Sequence, residues 1–369
     1  MADTKLTAQR WRILHSEASE GWGGQEHRVL AELRGFQQRG HEVWLIAHPD
    51  AKLVPRALEC GVNVKTCTFD RRQLPLEAIK LAFWLRQQRI DVVNTHSSRD
   101  GWLLGIAARL ARVPLLIRSR HIDVSYPNPS ISKHAFTTFA DHVLTTSGKI
   151  TSHFRRIFPI DEEQITTLPT GIDVNLYHPR GNKAALPVQP GTPVVGMVSV
   201  LRSWKGHDTF FDAIRILRDQ KRAIQFVVVG GMDVERYTAM ANERGVGAAV
   251  QFMGHREDIA DVLRALDVLC IPSKKHEGVP QIGLQALACK TAVIGSDCGG
   301  IPEIIREAET GRIFPAGDAA ALAAKIIETL EQKVETTLLS ENGRRLVEQQ
   351  YSLEAMLDKL EAIYSRHLG

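Results

Sequence analysis

The sequence predicts an α/β protein made of two Rossmann-like parallel-sheet domains. Three observations predict it. Short apolar runs alternate with segments of helical periodicity along the 369 residues, a pattern that builds parallel sheets covered on both faces. A strand–helix–strand opening with a loop after its first strand occurs twice, once from residue 11 and again from residue 193. Between them NKAALPVQPGTP, rich in Pro, Gly and small residues, reads as a linker at residues 181–192. The expected division is therefore a first domain over 1–180, a second over 193–350, and a C-terminal helix over 351–369 packing back across the junction.

In the first half, WRILH (11–15) predicts the opening strand and SEASEGWGGQE the loop after it. Val29, Leu30, Leu33 and Phe36 recur at helical spacing, and Gly40 closes that helix before the strand HEVWLIA. Gly21, Gly23 and Gly24 do not make the GxGxxG dinucleotide fingerprint. Gly23 and Gly24 either let the backbone approach a phosphate or form a plain tight turn. Later strands are predicted at 62–66, 91–95, 115–118 and 142–146, with helices at 76–88, 101–111 and 130–140. Ligands on parallel sheets sit at strand C-termini, which singles out His96, the run SRHID containing His121 and Asp123, and Ser147. For His121 a structural role and a place in the site both stay open.

The second half restarts with the buried strand PVVGMVSV, followed by LRSWKGHD and a helix carrying Phe210, Phe211, Ile214 and Leu217 on one face. Arg202 and Lys205 lie in that first loop. Two cations at a strand end suit a diphosphate, the guanidinium as a fork and the ammonium as a point charge. The strand IQFVVVG ends at Gly230 and Gly231, and a strand from Val250 leads into the GHRED loop with Arg256. LEAMLDKLEAIYSRH predicts an amphipathic final helix with Leu353, Met356, Leu357, Leu360 and Ile363 on one face.

The chain is organised around IPSKKHEGVPQIGLQALACKTAVIGSDCGGIPEIIRE, residues 271–307. A strand over 268–271 meets a polar loop over 273–278, then a helix starting at Pro280. A second strand over 291–295 leads to the Gly299–Gly300 turn and a helix led by Pro302. Two helix N-termini thus follow strand ends, and their unpaired N–H groups suit anions. Gly278 lets a ligand approach the backbone, and the Glu277 carboxylate can accept hydrogen bonds from hydroxyls. An anion site beside a hydroxyl acceptor suggests a sugar nucleotide. The competing view is an ordinary α/β turn with solvated charges.

Composition limits the alternatives. Apolar content of 44% and charged content of 24% are those of a globular protein. No apolar run reaches the ~18 residues of a membrane span, because Arg109 and Arg112 break the nearest one. The N-terminal residues lack the apolar core of a secretory signal, so a cytoplasmic location is expected. Five scattered cysteines with no CxxC pair predict buried thiols and no disulfide framework. Residues 1–180 carry 24 Lys and Arg against 18 Asp and Glu, a balance of +6, and residues 181–369 carry 22 against 24, a balance of −2. A mildly basic first half favours an anionic acceptor or the inner membrane leaflet, with Arg109, Arg112, Arg118, Arg120, Arg155 and Arg156 as contact candidates. No basic run with interleaved aromatics points to nucleic acid.

Together, GGQE at 23–26, RGHEV at 39–43, PTGID at 169–173, LRSWKG at 201–206, FMGHRED at 252–258 and EGVPQIGLQALACKTAVIGSDCGGIPEII at 277–305 resemble the family 4, or group 1, glycosyltransferases over nearly the whole chain. That resemblance implies the GT-B architecture, two Rossmann-like domains facing each other across a cleft, and a retaining, metal-independent reaction. It implies that Arg202 and Lys205 hold the donor diphosphate and that Glu277 contacts the donor sugar hydroxyls. Gly278 and Val279 would approach sugar and phosphate, Gly23 and Gly24 the phosphates, and His121 the reacting sugar. Arg256 would also belong to the donor site. Gln285 stands where the family has the second glutamate of its E-x7-E motif, which binds the ribose; an amide can still donate and accept there.

The expected reaction transfers a sugar from a nucleoside-diphosphate sugar to a glycan or lipid-linked acceptor, in cell-surface polysaccharide or lipopolysaccharide synthesis. The donor is a substrate, and neither a cofactor nor a metal is expected, since no convincing Asp-x-Asp motif occurs. Preorganised positive charge would stabilise the leaving diphosphate. A sugar-nucleotide epimerase of the same architecture and a non-catalytic nucleotide-sugar-binding subunit are the alternatives.

Overall fold

Alternation of apolar strands and amphipathic helices produces two parallel sheets. A computed structural model describes residues 9–70, 72, 74–122, 128–231 and 233–369. The first domain runs β1 (Arg12–Glu17), α1 (Gly24–Gln38), β2 (Glu42–Ala47), α2 (Leu53–Glu59), β3 (Asn63–Thr66), α3 (Leu74–Gln88), β4 (Val92–Thr95), α4 (Ser98–Ala111), β5 (Leu115–Arg120), α5 (Pro129–Thr137), β6 (His142–Thr145), α6 (Gly148–Ile157) and β7 (Ile165–Thr167). The second runs β8 (Val194–Val198), α7 (His207–Asp219), β9 (Gln225–Val229), α8 (Val234–Glu243), β10 (Val250–Phe252), α9 (Ile259–Ala265), β11 (Val268–Ile271), α10 (Gln281–Ala288), β12 (Ala292–Ser296), β13 (Arg312–Phe314), α11 (Ala319–Glu331) and α12 (Lys333–Gln350). A last helix, α13 (Leu353–Leu368), follows.

The strand orders are β3-β2-β1-β4-β5-β6-β7 and β10-β9-β8-β11-β12-β13, and every pairing is parallel. In each sheet the order reverses at the first strand of the domain, β1 or β8. Crevices open beyond the carboxyl ends of strands at such reversals, so the loops after β1, β4, β8 and β11 are placed to hold ligands. Both faces of each sheet are covered. Val29, Leu33 and Phe36 of α1 pack on one face of the first sheet, and Leu81, Leu85, Leu103 and Leu104 of α3 and α4 on the other.

The chain crosses between the domains at two adjoining points. Ile172 N donates to Tyr351 O at 2.8 Å and Leu353 N to Ile172 O at 2.8 Å, a bridge that ties the crossings together. Residues 173–190 already lie on the second domain, where Val174, Tyr177, Ala184, Leu186 and Val188 pack against its core. After the second crossing, α13 buries Met356, Leu357, Leu360, Ile363 and Tyr364 in the core of the first domain. Arg39 joins it there, with an ion pair to Glu361 at 2.9 Å.

Several elements differ from the sequence expectation. The helix expected to start at Pro280 begins at Gln281, with Pro280 extended as its N-cap. The helix expected behind Pro302 is a single 3-10 turn, Ile301–Glu303. The chain must return as β13 by Arg312 to pair with β12, which leaves no length for a full helix. The opening strand runs to Glu17, two residues past His15. Arg118 is buried with its guanidinium 4.4 Å from the Phe136 ring centroid, so it is no surface contact. The cysteines are free, and four of the five are buried. Among the described residues no helix is long and apolar enough to cross a membrane.

Candidate active site

The second-domain wall is fixed by one close backbone approach. Gly206, at φ +78°, caps α7, and a Cβ there would lie 1.8 Å from Pro272 O. Only glycine tolerates both constraints. The approach brings the 3-10 turn Ser203–Lys205 against the loop after β11. Lys274 N donates to Trp204 O at 2.8 Å and fastens the two loops. Lys205 Nζ then reaches Glu277 Oε1 at 2.5 Å, and Ser273 Oγ donates to the same oxygen at 2.7 Å. Glu277 is buried, and its backbone oxygen accepts from Gly300 N at 3.2 Å. A carboxylate held this way has a fixed orientation.

The first-domain wall comes from the loop ahead of α1 and the ends of β5 and β6. Glu26 accepts from Gly23 N at 2.8 Å and so shapes the turn that presents Gly23 and Gly24. Thr146 Oγ1 donates to His121 O at 2.9 Å, and Val279 N donates across the cleft to Thr146 O at 3.3 Å. A Cβ on Gly278 would meet Thr146 Oγ1 at 2.5 Å, so the domains touch through a gap only glycine leaves. Glu303 of the second domain accepts from Gly148 N at 3.0 Å at the start of α6. Ser147 caps that helix.

Between the walls lies a cavity of about 390 Å³. Gly23, Gly24, His121, Lys205, Arg256, Glu277, Gly278, Val279 and Gln285 all line it. Arg202 does not: it is exposed, with its guanidinium 5.1 Å from the Trp204 ring centroid. Arg256 is paired with Asp258, Nε to Oδ1 at 2.8 Å. Asp123 lies outside the described residues. Sequence reasoning missed Trp22, Thr146 and Gln281 on the walls. Each of the three adjoins a position that was singled out, Gly23, Ser147 and Pro280 respectively.

Glu17 was also missed, because the first strand was read as ending at His15. Burial, and then the Asp100 carboxylate, push the Glu17 carboxyl up to about 8. Asp100 accepts from Ser16 Oγ, His96 N, Ser97 N and Ser97 Oγ at 2.6–2.8 Å. Burial raises the Asp100 carboxyl as well, against the pull of those bonds, and Glu17 in turn accepts from Gln25 Nε2 and Ser19 N, so the two carboxyls are tied into one buried hydrogen-bonded cluster. Glu17 lines a polar groove of about 460 Å³ with Gln25, Glu26, Ser97, Ser98 and Arg99. Gln25 also lines the central cavity, so the two spaces adjoin.

The family model described as Glycosyltransferase Family 4 matches residues 22–176, and that described as Glycosyl transferases group 1 matches residues 181–346. The lipopolysaccharide core biosynthesis mannosyltransferase LpcC of Rhizobium leguminosarum bv. viciae is 30% identical over 341 residues, covering 86% of this chain and 92% of its own. The chain belongs to the group 1 glycosyltransferases. This glycosyltransferase is also 26% identical to the N,N'-diacetylbacillosaminyl-diphospho-undecaprenol alpha-1,3-N-acetylgalactosaminyltransferase of Campylobacter jejuni, covering 86% of this chain and 89% of the relative. A glycosyltransferase crystal structure from Rickettsia africae superposes with a TM-score of 0.88 at 21% identity over 97% of this chain and 99% of that one. The fold is GT-B, and the cavity is the cleft between its two domains.

Proposed function

We propose that this glycosyltransferase moves a sugar from a nucleoside-diphosphate sugar to a hydroxyl of a glycan or lipid-linked acceptor, with retention of configuration and without a metal. The observation that carries the proposal is the Lys205–Glu277 pair at the floor of the cleft, flanked by the first turns of α1 and α10. The ammonium and open N–H groups of those turns supply positive potential for the leaving diphosphate. Glu277 presents a carboxylate to the sugar hydroxyls, and Gln285, in α10, offers an amide to the ribose. His121 sits by the reacting sugar. Arg202, one turn from Lys205, reaches the diphosphate by leaving the Trp204 ring.

The acceptor hydroxyl enters through the groove of Glu17, Gln25, Ser97 and Arg99. Burial raises the carboxyls of both Glu17 and Asp100 beside that groove, and the departing phosphate takes the acceptor proton. Ser98 and Arg99 also line a neighbouring cavity of about 270 Å³ with Phe69, Leu74, Trp102, Leu103 and Ile131. Leu74 opens α3, whose outer face exposes Leu76, Ile79 and Phe83 by 56%, 61% and 73%. Exposed Lys80 and Arg86 lie beside that stripe. A track of this kind, polar at the reacting end and apolar with basic flanks at the other, fits an acceptor held by a lipid in an anionic leaflet. The Campylobacter relative, named for a diphospho-undecaprenol acceptor, supports the same class. Flotation with anionic phospholipid vesicles is expected for the wild type and lost in Ile79→Glu/Phe83→Glu; equal flotation of both would remove the membrane contact.

The donor assignment is tested by thermal stabilisation against a panel of nucleoside diphosphates and sugar nucleotides. A selective upward shift is expected for the wild type, weakened in Arg202→Ala and kept in Gln285→Glu. No shift with any nucleotide at millimolar concentration would sink the donor site.

A further inference from the structure

A continuous line of buried polar groups runs from the interior of the first domain to the cleft. His121 Nε2 lies 2.9 Å from His96 Nδ1, and His96 Nε2 lies 2.9 Å from His15 Nδ1. The three rings are nearly parallel, at 25° and 17° between successive planes. Beside the His15–His96 contact the Glu32 Oε2 carboxylate oxygen stands 3.6 Å from His15 Nδ1. Arg28 fixes Glu32 through Nε to Oε1 at 2.6 Å. His15 and Glu32 have no exposed surface, and His96 has 3%. His121 is the member that lines the cavity.

The protons in this line can point only one of two ways, since each neutral imidazole carries one N–H. If they point inward, His15 carries its proton on Nε2, a buried atom with no hydrogen-bond partner among the described residues. An orphaned buried N–H costs more than an orphaned acceptor. If they point outward, His15 Nδ1–H donates to His96, His96 Nδ1–H donates to His121 Nε2, and the nearby Glu32 charge favours the first of these protons. Outward is the stable register.

We propose that Glu32, His15 and His96 are positioning residues that lock His121 in the tautomer bearing its proton on Nδ1, so that it offers the cleft a fixed N–H donor for an oxygen of the donor sugar. Burial keeps all three imidazoles neutral, with His15 lowered to about 4 and His96 and His121 well below their ordinary value. His121 therefore acts as a donor and takes no proton from the acceptor. The proposal rests on glycosyl transfer in this cleft and adds to it the tautomer and the three residues that set it.

The test uses the full chain labelled with ¹⁵N-histidine, with signals assigned by single substitution among its 14 histidines. The expected spectrum shows His121 neutral at pH 7 with its proton on Nδ1. Glutamine at position 96 can accept from His15 and donate to His121, so His96→Gln is expected to keep that signature and to hold turnover within about threefold of wild type. His96→Leu can do neither. It is expected to free the His121 tautomer and lower kcat by about a hundredfold, with KM for the donor nearly unchanged. A proton on His121 Nε2, a charged His121 at pH 7, or His96→Leu with wild-type kcat would overturn the proposal. So would a stoichiometric metal in the purified protein, because one ligand atom each of His15, His96 and Glu32 lie within 4.8 Å of one another. A wild type that transfers no sugar counts against the reaction, whereas the tautomer spectrum judges the line of rings by itself.

Discussion

Lys205→Met is expected to lower kcat/KM for sugar transfer by about 10²- to 10³-fold, the usual loss when one preorganised charge-stabilising group is removed. Its ammonium lies 2.5 Å from Glu277 and borders the cavity, and among the described residues Lys205 and Arg256 are the Lys and Arg side chains of the second domain that line it. Methionine keeps the unbranched stem and deletes the charge. The change has a second consequence. Glu277 is 8% exposed and retains only the Ser273 hydroxyl on that oxygen. A buried carboxylate stripped of its cation costs on the order of 1–3 kcal/mol of stability. Adding Glu277→Gln to Lys205→Met is expected to recover most of that stability and none of the activity. Single-turnover transfer and denaturant unfolding measured side by side separate the two effects. A Lys205→Met enzyme within threefold of wild type would mean that the leaving charge is stabilised elsewhere.

Arg28→Met should produce the largest loss of stability, about 3–5 kcal/mol, as expected for breaking a fully buried ion pair. Arg28 and Glu32 have side-chain exposures of 1% and 0%. Arg28 also donates to Leu168 O at 2.7 Å, near the first crossing between the domains. Removing the guanidinium leaves Glu32 uncompensated in a place that water does not reach. Arg28→Met/Glu32→Leu removes both charges and is expected to be near neutral in stability, since a packed apolar pair commonly matches a buried ionic one. The double variant nonetheless loses the charge that sets the His15 tautomer, so its turnover should remain low. Urea unfolding together with kcat decides the matter. A stable and fully active double variant would show the pair to be dispensable to both fold and reaction.

Local pattern carried much of the fold. Apolar strand runs, helical spacing such as Val29, Leu33 and Phe36, and glycine-bearing turns specify β1, α1, β2 and the β11–α10–β12 unit because each signal is contained in a few adjacent residues. The three-residue strands β7 and β13 offered too few positions for a pattern. The Pro302 turn carried a helix-start signal that its short return path to β13 overrode. Most of the candidate site was also visible, since strand ends in parallel sheets are where ligands bind. His15 and His96 carried no such mark as a pair: each sits in or at the end of an apolar strand, and their contact exists only because β1 and β4 are neighbours in the sheet.

By itself the sequence determined the two α/β domains, the family motifs and the loops that bear Lys205, Glu277, Gly278 and His121, because those depend on contiguous residues. Tertiary structure alone decided that Lys205 meets Glu277 across 72 residues, that the returning α13 is received in the core of the first domain beside α1, and that His15 and His96 line up behind His121. Such contacts depend on strand order, on the crossings at Ile172 and Ser352, and on burial that excludes water. These are properties of the packed chain, and no short window of residues contains them.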